Sequence, residues 1–259
     1  MSVPIDETEL LEGFKRLKLR NMRDLLEAEE LGDELEGFDH PIQALNHLVQ
    51  KEVAARDETR RQRRLTQAKF PDEKTLEDFE FDEQPSVDES RIQDLAELDF
   101  IDNAENVVFL GPPGIGKTHL AIALGVKAVN DGYSVRFITA ETMVDELYGA
   151  LADGTLKKRL KKLNNHDLLI IDELGYLSLD QTASDHFFQV VNQAYEEHSI
   201  ILTSNKPFQE WSGLFDDATV VSAILDRLLH HVHLFNMEGD SYRLKDLNNS
   251  EENGGDTLS

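Results

Sequence analysis

At 259 residues the chain has room for one full α/β core plus a smaller module. Without cysteine it can build neither a disulfide framework nor a thiolate metal site, and its longest apolar runs are strand-sized, too short to span a membrane. Its 51 acidic residues against 26 basic, a formal charge of −25, argue against a nucleic-acid partner in ordinary salt. They fit the solvated acidic surface of a halophile, where molar salt shortens the Debye length to about 3 Å.

The acid is spread along the chain, but the basic residues are not. They collect in three islands: Lys15, Arg16, Lys18, Arg20 and Arg23; then Arg56, Arg60, Arg61, Arg63, Arg64 and Lys69; then Lys157, Lys158, Arg159, Lys161 and Lys162. Such islands either face an anionic partner or pair with nearby carboxylates such as Asp57 and Glu58. Their persistence on so acidic a chain favours the partner.

Met1 to Glu7 has no basic region and no apolar run, so it does not read as a signal peptide, and the expectation is a cytoplasmic protein. Residues 9–30 space Leu10, Phe14, Leu17, Met22, Leu25 and Leu26 as a helix does, and Gly32 to Gly37 breaks the pattern. Asp39-His40-Pro41 reads as a helix start capped by Asp39. Ile42, Leu45, Leu48 and Val49 then face one way, and the pattern runs to about Lys69 before Pro71 stops it. Residues 1–70 are therefore expected to form a helical module for DNA or partner binding, with the second basic island on its exposed distal half.

Residues 71–102 form an acidic lead-in to the core domain, which should extend to 247, and 248–259 should be a disordered tail. Phe79 and Phe81 alternate with acids, as in an extended segment lying on the core. Ser86-Val87-Asp88-Glu89 resembles a capping box, followed by Ile92, Leu95 and Leu98 on one helix face. From Asn106 onward strands and helices alternate, which predicts a parallel sheet with helices on its faces. The expected strands are Asn106–Leu110, Ser134–Thr139, Asp167–Ile171, Ser199–Thr203 and Val232–Phe235. A helix over Ala218–Leu229 should turn Val221, Ile224, Leu225 and Leu228 inward.

The chemistry begins at Gly111-Pro112-Pro113-Gly114-Ile115-Gly116-Lys117-Thr118, which fits G-x-x-x-x-G-K-[ST] between an apolar strand and a helix opening. Backbone N–H groups of such a loop curl around phosphate, and the helix N-terminus adds a positive dipole end. Lys117 reaches the β/γ-phosphates, Thr118 sits where Mg²⁺ is held, and His119 completes the expected ATP-binding run. Leu168 to Ile171 then delivers Asp172 to the carboxyl edge of the sheet, to hold Mg²⁺ through water, and Glu173 as general base. Asn205 ends the next strand, placed to orient the attacking water. His230, His231 and His233 lack a cysteine or patterned acid beside them, so packing or exposure is expected there, and Trp211 should be a packing residue.

Gly111–Thr118, Asp172-Glu173, Asn205 and Asp226-Arg227-Leu228-Leu229 together resemble the Walker A, Walker B, sensor 1 and arginine-finger elements of AAA+ ATPases. More narrowly, Leu169 to Leu177, Ile224 to His231 and Ser241-Tyr242-Arg243-Leu244-Lys245 resemble the IstB family of insertion-sequence helpers. The N-terminal run Ala54 to Arg64, Phe70-Pro71 and Lys74 to Phe79 does so too, so the resemblance covers about Leu10 to Lys245. It implies an initiator-clade AAA+ domain with a five-stranded parallel sheet ordered 5-1-4-3-2 and ATP between neighbouring subunits. It also implies a trans-acting Arg227, and Arg243 as second sensor at the nucleotide.

IstB-like proteins assemble on duplex DNA with ATP and recruit or activate a transposase without cutting DNA. That makes Arg56, Arg60, Arg61, Arg63, Arg64, Lys157, Lys158, Lys161 and Lys162 the DNA-binding candidates. The departure is the charge, since phosphate contacts weaken steeply with salt. Two other readings stay open, a helicase loader of the same clade acting on single strands and a nucleotide-gated scaffold, while Asp172-Glu173 with Asn205 argues against a third, a small-molecule P-loop kinase with arginines in cis.

Overall fold

The computed structural model describes residues 7–38, 40–239 and 241. Asp39, Arg243 and the expected tail 248–259 lie outside them. Contacts divide the chain between Arg63 and Arg64.

The first unit holds α1 (Glu7–Leu17), α2 (Arg20–Glu27), α3 (Leu31–Glu34) and most of α4 (Pro41–Ala68), which runs on into the second. The apolar period over 9–30 becomes two helices because Lys18 takes φ 58° between them. The stretch from Gly32 does not break into loop at once: Leu31–Glu34 makes one helical turn, and positive φ waits until Gly37 at 89°. Leu19 cannot cap α2, and Glu52 of α4 does so instead. Its buried carboxylate accepts the N–H groups of Arg20, Asn21 and Met22 at 3.0, 2.8 and 3.2 Å, where the helix dipole favours negative charge. The aligned face of α4 is a departure. Ile42, Leu45 and Val49 are exposed and Leu48 only half-buried, so periodicity marked a face without a cover within this unit.

The second unit is the sheet and its helices. Its strands are β1 (Asn106–Leu110), β2 (Val135–Thr139), β3 (Leu168–Asp172), β4 (Ser199–Ser204) and β5 (Val232–Asn236). They are all parallel, in the order β2-β3-β4-β1-β5, the expected 5-1-4-3-2 read from the other edge. The helices are α5 (Glu89–Ala96), α6 (Asp99–Asp102), α7 (Lys117–Asn130), α8 (Ala140–Ala152), α9 (Leu156–Leu163), α10 (Gln181–Ala194) and α11 (Ala218–Leu229).

β1, β3 and β4 are buried throughout, which is why they read as continuous apolar runs and not as alternations. Val107, Phe109, Val135, Phe137, Leu168 and Ile170 meet α7 and the lead-in residues Ile92, Leu95 and Phe100 on one face. Val108, Leu110, Ile138, Leu169 and Ile171 meet Leu147, Leu160, Phe187, Trp211 and Ile224 on the other. Leu225, expected inward with Ile224, is only half-buried. At the start of β1, buried Asn106 donates to Leu228 O at 3.2 Å and accepts from Ile200 N at 2.9 Å, joining α11 and β4 across the strand.

The capping box expected at Ser86 is not the cap of α5. Asp88 takes that place, accepting from Ser90 N at 3.0 Å, while Ser86 Oγ accepts from Glu238 N at 2.9 Å in the segment after β5. Asp88→Ala is therefore expected to lower stability by about 1 kcal/mol, read as a lower denaturant midpoint at unchanged slope. No described helix is long and apolar enough to cross a membrane.

Candidate nucleotide site

The loop between β1 and α7 is shaped by glycines that nothing else could replace. Gly114 and Gly116 have φ of 79° and 98°, a left-handed backbone that other residues resist. A side chain there would strike Ser241 Oγ at 2.1 Å and Phe79 Cε2 at 2.5 Å. The loop is thus held between the lead-in and the segment after β5. Gln84 donates to Ile115 O at 3.1 Å, Met237 N to Leu110 O at 2.7 Å, and His119 Nε2 lies 2.8 Å from Thr75 O. Beside the loop opens a cavity of about 750 Å³, lined also by Lys74, Asp78, Phe79 and Gln84. Thr75 holds the Asp78 carboxyl below its ordinary value through its hydroxyl and backbone N–H. No arginine is among the described residues lining this cavity.

Lys117 opens α7, is 8% exposed, and donates to Gly111 O and Pro112 O at 2.7 and 2.6 Å. Thr118 Oγ1 donates to Asp172 Oδ1 at 2.9 Å. The buried Asp172 also accepts from Thr203 Oγ1 at 2.5 Å, and Thr203 Oγ1 in turn accepts from Glu173 N at 3.0 Å. Sequence reasoning gave Thr203 no role. Its signal is its place near the end of β4, beside β3, with a hydroxyl among apolar residues.

Glu173 is exposed at φ 63°, a backbone that costs a non-glycine residue about 1–2 kcal/mol and that aims its carboxylate differently from the strand before it. Asn205 Oδ1 is buried without a hydrogen-bond partner, and its turn is tied down by Trp211 Nε1 donating to Lys206 O at 3.2 Å. Trp211, fully buried, is the packing residue expected.

A hydroxyl and a carboxylate in contact at the carboxyl edge of the sheet form the oxygen donor set that suits Mg²⁺, which keeps several waters and takes few protein ligands. A glycine loop feeding a helix N-terminus, with Lys117 at its first position, suits a nucleotide's phosphates.

Arg227 lies on α11, donating to Asn192 Oδ1 at 2.8 Å and Ala223 O at 3.0 Å, its guanidinium 4.9 Å over Phe188. Among the second-island candidates, Arg56 pairs with Glu52, Arg60 with Asp57 and Arg61 with Glu58. Arg63 and Arg64 have no ion pair among the described residues, and neither do Lys157, Lys158, Lys161 and Lys162, which are all exposed on α9. Close by, Lys69 is pushed below the ordinary lysine value, first by the Arg136 charge, then by burial, Arg159 and Lys162. His233 pairs with Glu105 and His230 meets Tyr195. No metal-holding group of three or more His, Cys, Asp or Glu exists among the described residues.

The chain is similar to two proteins named as ATP-binding proteins of insertion sequences. It is 47% identical over 208 residues to that of IS5376 from Geobacillus stearothermophilus, covering 80% of this chain and 83% of the relative. It is 46% identical over 198 residues to that of IS21 from Pseudomonas aeruginosa, covering 76% and 75%. Among solved structures it resembles a DNA replication initiation factor, at TM-score 0.54 and 26% identity over 71% of this chain. It also resembles the replication initiator DnaA bound to AMPPCP and single-stranded DNA, at TM-score 0.52 and 26% identity over 71% of this chain. The match spans 56% of the length of each of these two structures. With its P-loop, its sheet order and a match to the family description over residues 14–250, the chain belongs to the IstB-like ATP binding proteins.

Proposed function

We propose that this chain is a Mg²⁺-dependent ATPase that assembles with copies of itself on duplex DNA in the cytoplasm and, by hydrolysing ATP, governs where a transposase acts. The observation that carries the reading is the linked set Thr118–Asp172–Thr203–Glu173 at one edge of the sheet, beside a cavity with no arginine among its described lining residues. Lys117 holds the β- and γ-phosphates and fixes their register. Thr118 and Asp172 would hold Mg²⁺, which when bound would neutralise phosphate charge. Glu173 takes the proton of the water that attacks the γ-phosphate, and the Asn205 carboxamide orients that water.

A second copy is proposed to add charge stabilisation from an arginine, and Arg227, half-exposed on α11, is the group proposed to supply it. The four exposed lysines of α9 and the cations crowding Lys69 support an anionic partner on a chain of charge −25. Relatives named for insertion sequences support a transposase as the protein partner. In molar salt, phosphate contacts alone hold DNA weakly, so binding in an assembly would lean on avidity.

The test is ATPase rate and sedimentation in concentrated KCl with duplex, with single-stranded DNA, or without DNA. Large ATP-dependent assemblies on duplex are expected. Preference for single strands would move the assignment to a helicase loader, and indifference to DNA would leave a protein-only partner.

A further inference from the structure

Gly175 stands in the turn Leu174–Tyr176, just beyond Asp172 and Glu173, and is buried. Its backbone does not ask for glycine, because its φ lies outside the left-handed range. Space does. A Cβ at this position would lie 1.7 Å from Asn205 Oδ1, 2.9 Å from Asn205 Cγ and 3.0 Å from Ser204 Oγ. The clash with Cγ means that turning the amide over does not relieve it.

Two further observations decide which side gives way. Ser204 Oγ both donates to Lys206 O and accepts from Lys206 N, at 3.1 Å each, and Trp211 Nε1 donates to the same carbonyl. The backbone of the β4 turn is therefore fastened. The Asn205 carboxamide is not: its Oδ1 is buried and makes no hydrogen bond. A buried amide oxygen left unsatisfied is unfavourable and calls for a reason. It occupies the space that a Cβ on Gly175 would fill.

We infer that Gly175 is a positioning residue for Asn205: the missing side chain is the seat in which the carboxamide rests, and any Cβ there swings it off the attacking water. The inference rests on the proposed water-orienting role of Asn205. It adds that the turn after Asp172-Glu173 sets the geometry of the next strand's polar end, so that the base and the water-orienting group are placed by one short segment.

The test compares wild type, Gly175→Ala, Asn205→Ala and the double variant for kcat, KM for ATP, nucleotide affinity and thermal unfolding midpoint. Gly175→Ala should lower kcat by about 10²-fold, the cost of misplacing a reacting arrangement by about 1 Å, with KM and affinity unchanged. Asn205→Ala should lower kcat by the same factor, and the double variant should be no slower than either single change, since both remove one function. The unfolding midpoint gives a second reading. It should fall in Gly175→Ala and recover when Asn205→Ala removes the clashing carboxamide, with no recovery of kcat.

Normal turnover in Gly175→Ala beside a slow Asn205→Ala would overturn the inference. So would multiplying defects in the double variant, or a midpoint that Asn205→Ala fails to restore. Normal turnover in Asn205→Ala would instead remove the water-orienting reading, and the inference with it.

Discussion

Lys117→Ala is expected to abolish ATP binding, measured by calorimetry or by displacement of a fluorescent nucleotide. The side chain starts α7, is almost fully buried, and sets its ammonium on the carbonyls of Gly111 and Pro112. Those contacts hold the charge at the mouth of a loop whose N–H groups and helix dipole already favour an anion. Removing one member of a desolvated charge pair costs about 3–5 kcal/mol, which is about 10²–10³-fold or more in Kd. The fold should survive, because the aliphatic core around Leu120 and Leu124 is untouched. An unchanged far-UV spectrum is the control. Full affinity in a folded Lys117→Ala protein would remove the P-loop assignment.

Arg227→Ala should leave nucleotide affinity intact and lower turnover by about 10³–10⁵-fold, by analogy with trans-acting arginines in GTPases. Within one chain the guanidinium is occupied by Asn192, the Ala223 carbonyl and the Phe188 ring. Breaking these partly exposed contacts should cost only about 0.5–1 kcal/mol for the ring contact, so lost turnover would not be disguised unfolding. Wild-type specific activity should rise with protein concentration as subunits meet. Mixing Arg227→Ala with Glu173→Gln should restore part of the rate, because some interfaces then combine an intact Glu173 with an intact Arg227. Specific activity that is flat from dilute monomer upward, or no recovery on mixing, would contradict the trans role.

The parts of this molecule legible in its sequence are those whose physics is local or repeated. The loop from Gly111 to Thr118 carries its meaning in eight adjacent residues. β1, β3 and β4 announce themselves because both faces are buried, and the family resemblance supplied the strand order. Asp172 and Glu173 follow from the strand that ends at them. What escaped were choices made between distant segments. Ser86 and Asp88 are both good helix caps, and Glu238 decided between them by engaging the Ser86 hydroxyl. Thr203 looks like one more strand residue until β3 lies beside it. Gly175 looks like a turn glycine until Asn205 arrives from the next strand. On α4, the spacing of Ile42, Leu45 and Val49 named a face, but nothing in a period of 3.6 says that a face is covered. Nor does the basic island around Arg56 announce that its guanidinium meets Glu52 and the Lys18 carbonyl.

The strand order also governs how the chain must be made. β1, the first strand to leave the ribosome, has as its neighbours β4 and β5, the last two. Its apolar residues Val107 to Leu110 therefore wait for their hydrogen-bonding partners while about 90 further residues are synthesised, roughly 5–20 s at ordinary elongation rates. Asn106 waits too, since its two partners belong to β4 and to the end of α11. During that interval a nascent chain can pair β2 with β3 but cannot close the sheet. Premature termination before Ser199 would release a protein with β1, an interior strand of the finished sheet, unpaired on both edges, a ready template for aggregation.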